Sequence, residues 1–250
     1  MVLVILQFMH FKNNEMISIF IPLRKGSKRI KNKNLRSLPG FKRGLTELKI
    51  TQLSKLRKIF LKYFKKKQIE FVVSTNCKKI KNFLSEFRWV RVYERNENLA
   101  TDDSLDKLII HVPDICRGKY ILWTHVTSPL FNEIDYINFI KTFFQNKNKS
   151  CKSAFSSDKI QKFIFNKTKK WVSHNYKKKK WPRTQDLPEF FLVNSAAFIA
   201  SREVYLKKKD RLCNNPLPIV SRSGSGFDID DIKDFNILKK MKITLENKTI

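Results

Sequence analysis

Only four cysteines, Cys77, Cys116, Cys151 and Cys213, occur in 250 residues, far apart and with no Cys-x-x-Cys pair. That sparseness argues against a disulfide scaffold, and the four histidines (His10, His111, His125, His174) show no spacing that would complete a zinc site with them. The thiols read as reduced and buried. Long apolar runs are missing as well. The apolar opening, residues 1–11, is too short to span a bilayer and has neither the basic start nor the small-residue cleavage site of a signal peptide. The expectation is a soluble cytoplasmic chain with no membrane span, in which residues 1–15 form an N-terminal extension or precede the true start at Met16. No internal repeat and no Pro- or Ser-rich linker interrupts the chain after Met16, so residues 16–250 read as one domain.

Acidic side chains are the other shortage: 22 Asp and Glu stand against 52 Lys and Arg, a formal charge of +30. The cations are 39 Lys and 13 Arg, a skew that an AT-rich genome produces, so a solvated basic surface and a polyanion contact both remain open. Lysine runs at 65–67, 177–180 and 207–209 lie among Tyr63, Phe64, Tyr176 and Trp181, a mixture used by single-strand nucleic-acid binders. Phe64 falls on a helical stripe and reads as core, which leaves nucleic-acid binding as a secondary reading. His111 and His174 read as ordinary surface or core residues, and Trp171 and Trp181 as packing or dimer residues.

What is present is an alternation of strand and helix in a chain 42% apolar. Ile17–Pro22, 70–74, 89–93 and Tyr120–Thr124 are short, almost continuous apolar runs. Between them, 47–65, 77–87 and 104–112 carry apolar residues at helical spacing, with Leu53, Leu56, Phe60 and Tyr63 forming one stripe. A further helix is expected over 134–144, core strands over 193–200 and Leu217–Val220, and a closing helix over 231–241. Residues 150–180 alternate weakly and read as a basic β excursion. Such strands, separated by helices, imply a parallel sheet covered on both faces.

Two stretches carry chemistry. The loop after the first strand, residues 23–34, holds Gly26, Ser27 and six cations at the carboxyl edge of the sheet, where α/β folds bind ligands. Its composition suits a phosphate cradle, with a plain basic surface loop as the alternative, and it lacks Walker spacing. The second stretch is Asp228-Ile229-Asp230-Asp231. In an extended segment, Asp228 and Asp230 point the same way and can share one Mg²⁺, while Asp231 suits the N-cap of the closing helix.

Motifs in order along the chain resemble those of the acylneuraminate cytidylyltransferases. Residues 21–34 resemble IPARxGSKRIPxKN, Val73-Ser74-Thr75 resembles VSTD, and Glu94-Arg95 through Leu99-Ala100-Thr101-Asp102 resembles RPxELAsD. Trp123-Thr124-His125-Val126-Thr127-Ser128-Pro129 resembles LQPTSP, and residues 182–188 resemble PRRQDLP. Asn194-Ser195-Ala196 resembles NGA, and Asp228-Ile229-Asp230 with Asp234-Phe235 resembles DIDTxxDF. The resemblance implies a Rossmann-like, three-layer nucleotidyltransferase fold with a mostly parallel sheet, and a homodimer. It implies transfer of CMP from CTP to the anomeric hydroxyl of a 2-keto-3-deoxy sugar acid, with release of pyrophosphate. Leu23, Arg24, Ser27, Lys28, Lys33 and Asn34 would hold the nucleotide, together with Arg95 and, across a gap, Ser104. His125, Lys162 and Asn194 would face the sugar, and Arg183, Lys33 and Asp228 would serve catalysis. Asp228 and Asp230 would bind Mg²⁺.

Three positions depart from the family pattern. Asn76 stands where VSTD has its aspartate, Leu192 where an arginine precedes NGA, and Ser195 where NGA has glycine. These fall toward the sugar side, so the expectation is retained CTP use with an unusual acceptor. A degenerate member that binds nucleotide or an anionic polymer without turnover is the second reading. A sugar nucleotidyltransferase using another base is the third.

Overall fold

A computed structural model describes residues 15–63, 68–101, 103–148 and 152–241. The expectations for residues 1–14, Phe64, 65–67, Asp102 and Cys151 lie outside these. Strands β1 (Ile17–Pro22), β2 (Ile69–Thr75), β3 (Val90–Glu94) and β4 (Tyr120–Thr124) run parallel to one another. They are linked by α1 (Gly44–Tyr63), α2 (Lys78–Leu84) and α3 (Leu105–Ile115). Beyond β4 come α4 (Glu133–Asn146), β5 (Ser153–Ile160), β6 (Phe190–Ser201), α5 (Arg202–Lys208), β7 (Leu217–Val220) and α6 (Ile232–Lys240). The seven-stranded order is β3-β2-β1-β4-β6-β5-β7, with β6 antiparallel to both neighbours. This is the mostly parallel α/β sheet that the alternation implied.

The central strands β1 and β4 are almost wholly apolar because both of their faces are covered. On β1, Ile17, Ile19 and Ile21 join a core with Leu53, Phe60, Ile140 and Phe235, whereas Phe20 faces a second core with Val112 and Tyr205. All five residues of β4 are buried. Among the described residues, no helix is long and apolar enough to cross a membrane.

Part of the stretch read as an excursion is core sheet. β5 carries Ser153, Ser156 and Ser157, all fully buried, and those serines disguised it as solvent-facing. Burial is tolerated where the hydroxyls find partners: Ser156 Oγ donates to Asn194 Oδ1 at 2.6 Å and accepts from the Ala197 N–H at 2.9 Å. The irregular segment begins after Ile160. It holds one isolated bridge, Phe165 to Trp171, and a cluster of rings in which Phe163 and Trp171 both meet Trp181 edge-on.

The β5–β6 register breaks between Phe155 and Ser157, so residues 194–197 of β6 bulge. Ser195 lies within it at φ +59°, a left-handed conformation that costs a residue with a Cβ about 1 kcal/mol and glycine almost nothing. The position where the resembling family has glycine is thus one where the backbone favours it.

β1 lies between β2 on one side and β4 on the other. From β1 the chain moves on toward one edge of the sheet and from β4 toward the other, and that reversal opens a crevice at their carboxyl ends, the usual ligand position in open α/β sheets.

Candidate active site

The crevice encloses about 340 Å³. Arg24, Gly26, Ser27, Lys33 and Asn34 line it from the β1 loop, and Arg95 and Ser104 from the turn between β3 and α3. His125 and Thr127 enter from the end of β4, and Asp228 and Asp230 from the segment before α6. Residues 24 and 228 are thus brought to one cavity.

The loop is pinned at its base. The Leu23 N–H donates to Ser74 O at 2.9 Å and the Lys25 N–H to Asn76 Oδ1 at 2.6 Å. Gly26 turns at φ +80°, where a side chain would be strained. Thr46 Oγ1 donates to Asn34 O at 2.8 Å, closing the far end against α1.

Cations crowd this cavity. Arg95 is buried and donates through Nε to Ser74 Oγ at 3.0 Å and through Nη2 to Ser74 O at 2.8 Å. Burial and then the charge of Arg24 lower its pKa to about 10, and no carboxylate among the described residues pairs with it. Two guanidiniums held together in this way favour an anionic ligand between them. Lys33 Nζ donates to Ile229 O at 2.7 Å; burial lowers its pKa against the opposing pull of Asp228 and Asp230.

Asp228 is the strained acid of the site. Its pKa is raised, first by burial and then by Asp230, despite a hydrogen bond from Thr127 and the charge of Lys33. Its Oδ1 is buried and has no protein hydrogen-bond partner. Such an oxygen suits a hard cation. Asp230 is exposed and pairs with Arg29 Nη1 at 2.6 Å. Among the described residues no cluster of three or more His, Cys, Asp or Glu could hold a metal, so an ion here would complete its shell with water and ligand oxygens. Asp231 caps α6 in a reciprocal box with Asp234, which leaves Asp228 and Asp230 free of that role.

His125 Nε2 accepts from Trp123 Nε1 at 2.9 Å, which assigns the ring proton to Nδ1. Burial, then Arg211 and Lys49, hold its pKa down to about 3, so the ring is a neutral donor throughout the physiological range.

A family model described as cytidylyltransferase matches residues 18–210. The chain belongs to the cytidylyltransferase family. Among solved structures, this cytidylyltransferase resembles a CMP:2-keto-3-deoxy-manno-octonic acid synthetase complexed with CTP, at TM-score 0.57 and 12% identity over 90% of this chain and 97% of that one. It also resembles a 4-diphosphocytidyl-2C-methyl-D-erythritol synthase from Anaerococcus prevotii DSM 20548, at 0.60 and 10% over 94% and 97%. A cytidylyltransferase from Leptospira borgpetersenii serovar Hardjo-bovis (strain JB197) aligns at 0.53 and 16% over 90% and 85%. A search of curated proteins by sequence finds no match.

Of the residues singled out from sequence, the cytidylyltransferase gathers Arg24, Ser27, Lys33, Asn34, Arg95, Ser104, His125, Asp228 and Asp230 at one cavity. Five others lie elsewhere. The Leu23 side chain is fully buried in the core, so only its backbone belongs to the loop. Lys28 is exposed and outside the cavity lining. Asn194 is buried inside the sheet and outside the cavity lining: Oδ1 accepts from Ser156 and the Ala196 N–H, and Nδ2 donates to Ser221 Oγ at 3.1 Å. Arg183 and Lys162 sit exposed on the segment between β5 and β6, and Arg183 is paired with Asp186 at 3.0 Å.

The sequence reading gave no role to Ser74, Trp123 or Thr127, although all three lie in the motifs it quoted. Each acts through a neighbour. Ser74 holds Arg95, Trp123 fixes the His125 tautomer, and Thr127 supports Asp228 while its carbonyl accepts from the Ile229 N–H at 2.8 Å. Because neutral His125 both accepts and donates, glutamine can replace it. His125→Gln should keep kcat/KM within about threefold, whereas His125→Ala should lose about tenfold or more. Steady-state kinetics on both variants checks this.

Proposed function

We propose that this cytidylyltransferase transfers CMP from CTP to the anomeric hydroxyl of a 2-keto-3-deoxy sugar acid. The observation that carries this reading is the meeting, in one cavity, of the cationic β1 loop, the Arg24–Arg95 pair and the acids Asp228 and Asp230. The choice of a keto sugar acid is supported by the seven sequence motifs, and the fold likeness to a 2-keto-3-deoxy-manno-octonic acid synthetase agrees with it.

In this reading Arg24, Ser27 and Lys33 bind the triphosphate, and Arg95 and Ser104 the nucleoside end. The acceptor oxygen forms a bond to the α-phosphorus as the bond to the β-phosphate oxygen breaks, and the electron pair leaves with pyrophosphate. Charge accumulates on the phosphate oxygens during that exchange, and fixed cations stabilise it more than they stabilise the ground state. Asp228 and Asp230 would hold Mg²⁺, which when bound neutralises phosphate charge. Neutral His125 would orient the acceptor through its Nδ1–H. The homodimer implied by the motifs would cover the exposed apolar start of β6 at Phe191, Leu192 and Val193.

Purified protein given CTP, Mg²⁺ and a panel of 2-keto-3-deoxy sugar acids should release pyrophosphate with at least one acceptor and form the matching CMP-sugar. Turnover with UTP in place of CTP, or none with any keto sugar acid, would overturn the assignment.

A further inference from the structure

The active-site cavity is not the largest in the molecule. On the other side of the β1 loop lies a cleft of about 1280 Å³, walled by that loop, by Arg43 just before α1 and by α2 with its flanking residues. Gly26, Ser27 and Lys33 line both cavities, so the loop is a shared partition.

The second cleft is strongly cationic in its own right. Lys25, Lys31, Arg36, Arg43, Lys78 and Lys79 line it and do not reach the active-site cavity. Among the described residues the one acid in its lining, Glu86, is 3.7 Å from Arg43, and no ion pair engages Lys31, Lys78 or Lys79. Asn76 belongs to the same wall. Where the resembling motif carries an aspartate, this chain places an amide that accepts from the Lys25 N–H and donates to Glu97 Oε2 at 2.9 Å. That substitution removes a carboxylate from the cleft. Like charges gathered in a concave, partly desolvated space raise the potential there and attract a compact anion of high charge.

The wall also says which anion. Among the described residues Phe83 is the one aromatic ring in the lining; it is buried, and Arg43 lies over it at 4.5 Å. No face is offered for stacking a base. We infer that this cleft is a second anion site that takes a short inorganic oligophosphate, with pyrophosphate from the neighbouring cavity as its natural ligand. The inference rests on the cytidylyl-transfer reading for the source of that pyrophosphate and on the cleft alone for its binding.

The experiment is isothermal titration of the full-length protein with pyrophosphate, before and after saturation with CTP. The CTP-saturated protein is expected to take up one further equivalent. The double variant Lys78→Glu/Lys79→Glu, at two exposed positions away from the active-site cavity, should weaken that uptake about tenfold or more while leaving CTP affinity unchanged. A thermal melt confirms that the variant is folded. No uptake by the CTP-saturated protein, or uptake insensitive to the double substitution, overturns the site. So does a short RNA oligonucleotide that outcompetes pyrophosphate for it. If the protein fails to bind CTP, the cytidylyl-transfer reading falls, and the lysine-dependent uptake by the unliganded protein still decides the cleft.

Discussion

Asp228→Asn should lower kcat about a hundredfold to a thousandfold and, in the absence of Mg²⁺, leave the protein as stable as before or more so. The two halves have one cause. Burial raises the Asp228 pKa above its ordinary value, so the folded protein holds that proton more tightly than the unfolded chain. A group shifted in this direction contributes stability that is complete in acid and lost as pH rises through the folded pKa. At neutral pH the ionised carboxylate therefore opposes folding, with a buried Oδ1 that no protein donor satisfies. Asparagine removes the charge and keeps the shape. The same charge is what the reaction needs. Losing a preorganised contact to phosphate or metal costs about 3–4 kcal/mol of barrier, which corresponds to that loss of rate. Added Mg²⁺ with CTP should raise the melting temperature of the wild type and not of the variant. A variant that melts well below the wild type without metal, or that retains full kcat, would contradict this role for Asp228.

Lys49→Met should destabilise the fold by about 2–3 kcal/mol and slow turnover about tenfold, although Lys49 touches no ligand. Lys49 is fully buried on α1 and donates to Ser128 O at 3.0 Å, Phe131 O at 2.9 Å and the Tyr136 hydroxyl at 3.0 Å. The hydroxyl chain fixes the direction of these bonds. Thr124 Oγ1 donates to Ala196 O, so it accepts from Tyr136, and Tyr136 in turn must accept from Lys49. Three acceptors call for three N–H bonds. Methionine fills the space and strands all three, a loss of roughly 1 kcal/mol or more for each, partly offset by removing a buried charge. The bonds tie down residues 128–131, next to Thr127, whose side chain and carbonyl support Asp228 and Ile229. Loosening them reaches the acid pair, hence the slower turnover. Burial brings the Lys49 pKa down to about 7, against the attraction of Asp135 and Glu133. The folded protein thus loses this proton before the unfolded chain does. Between about pH 7 and the ordinary lysine range, the stability of the wild type relative to Lys49→Met should increase with pH. Urea melts of both proteins across that range test the sign.

The sheet could be read from sequence because a doubly covered strand must be apolar on both faces. Ile17–Pro22, Tyr120–Thr124 and Leu217–Val220 agree with the structure to the residue. β5 could not be read, because three buried serines give it the look of a solvent-facing segment, and the partners that satisfy Ser156, Asn194 and the bulge of β6, arrive from elsewhere in the fold. The site divides in the same way. The β1 loop and the acids before α6 are local patterns, and topology brought them to one cavity. Asn194 looked available because a motif records residue type but not that the side chain is buried in the sheet away from the cavity. Lys49 reads as one lysine among 39, and only its three acceptors distinguish it.

The pair formed by Arg29 and Asp230 bears on how ligands enter. It joins the β1 loop to the acid segment, with Asp230 on the cavity wall, and both side chains remain about two-thirds exposed. Water screens such a clasp, so opening it costs little. Each half also has somewhere better to go: the guanidinium to a phosphate, the carboxylate to a metal ion. A metal–nucleotide complex can therefore exchange this one contact for two stronger ones, and nucleotide lacking its cation can make only half of that exchange.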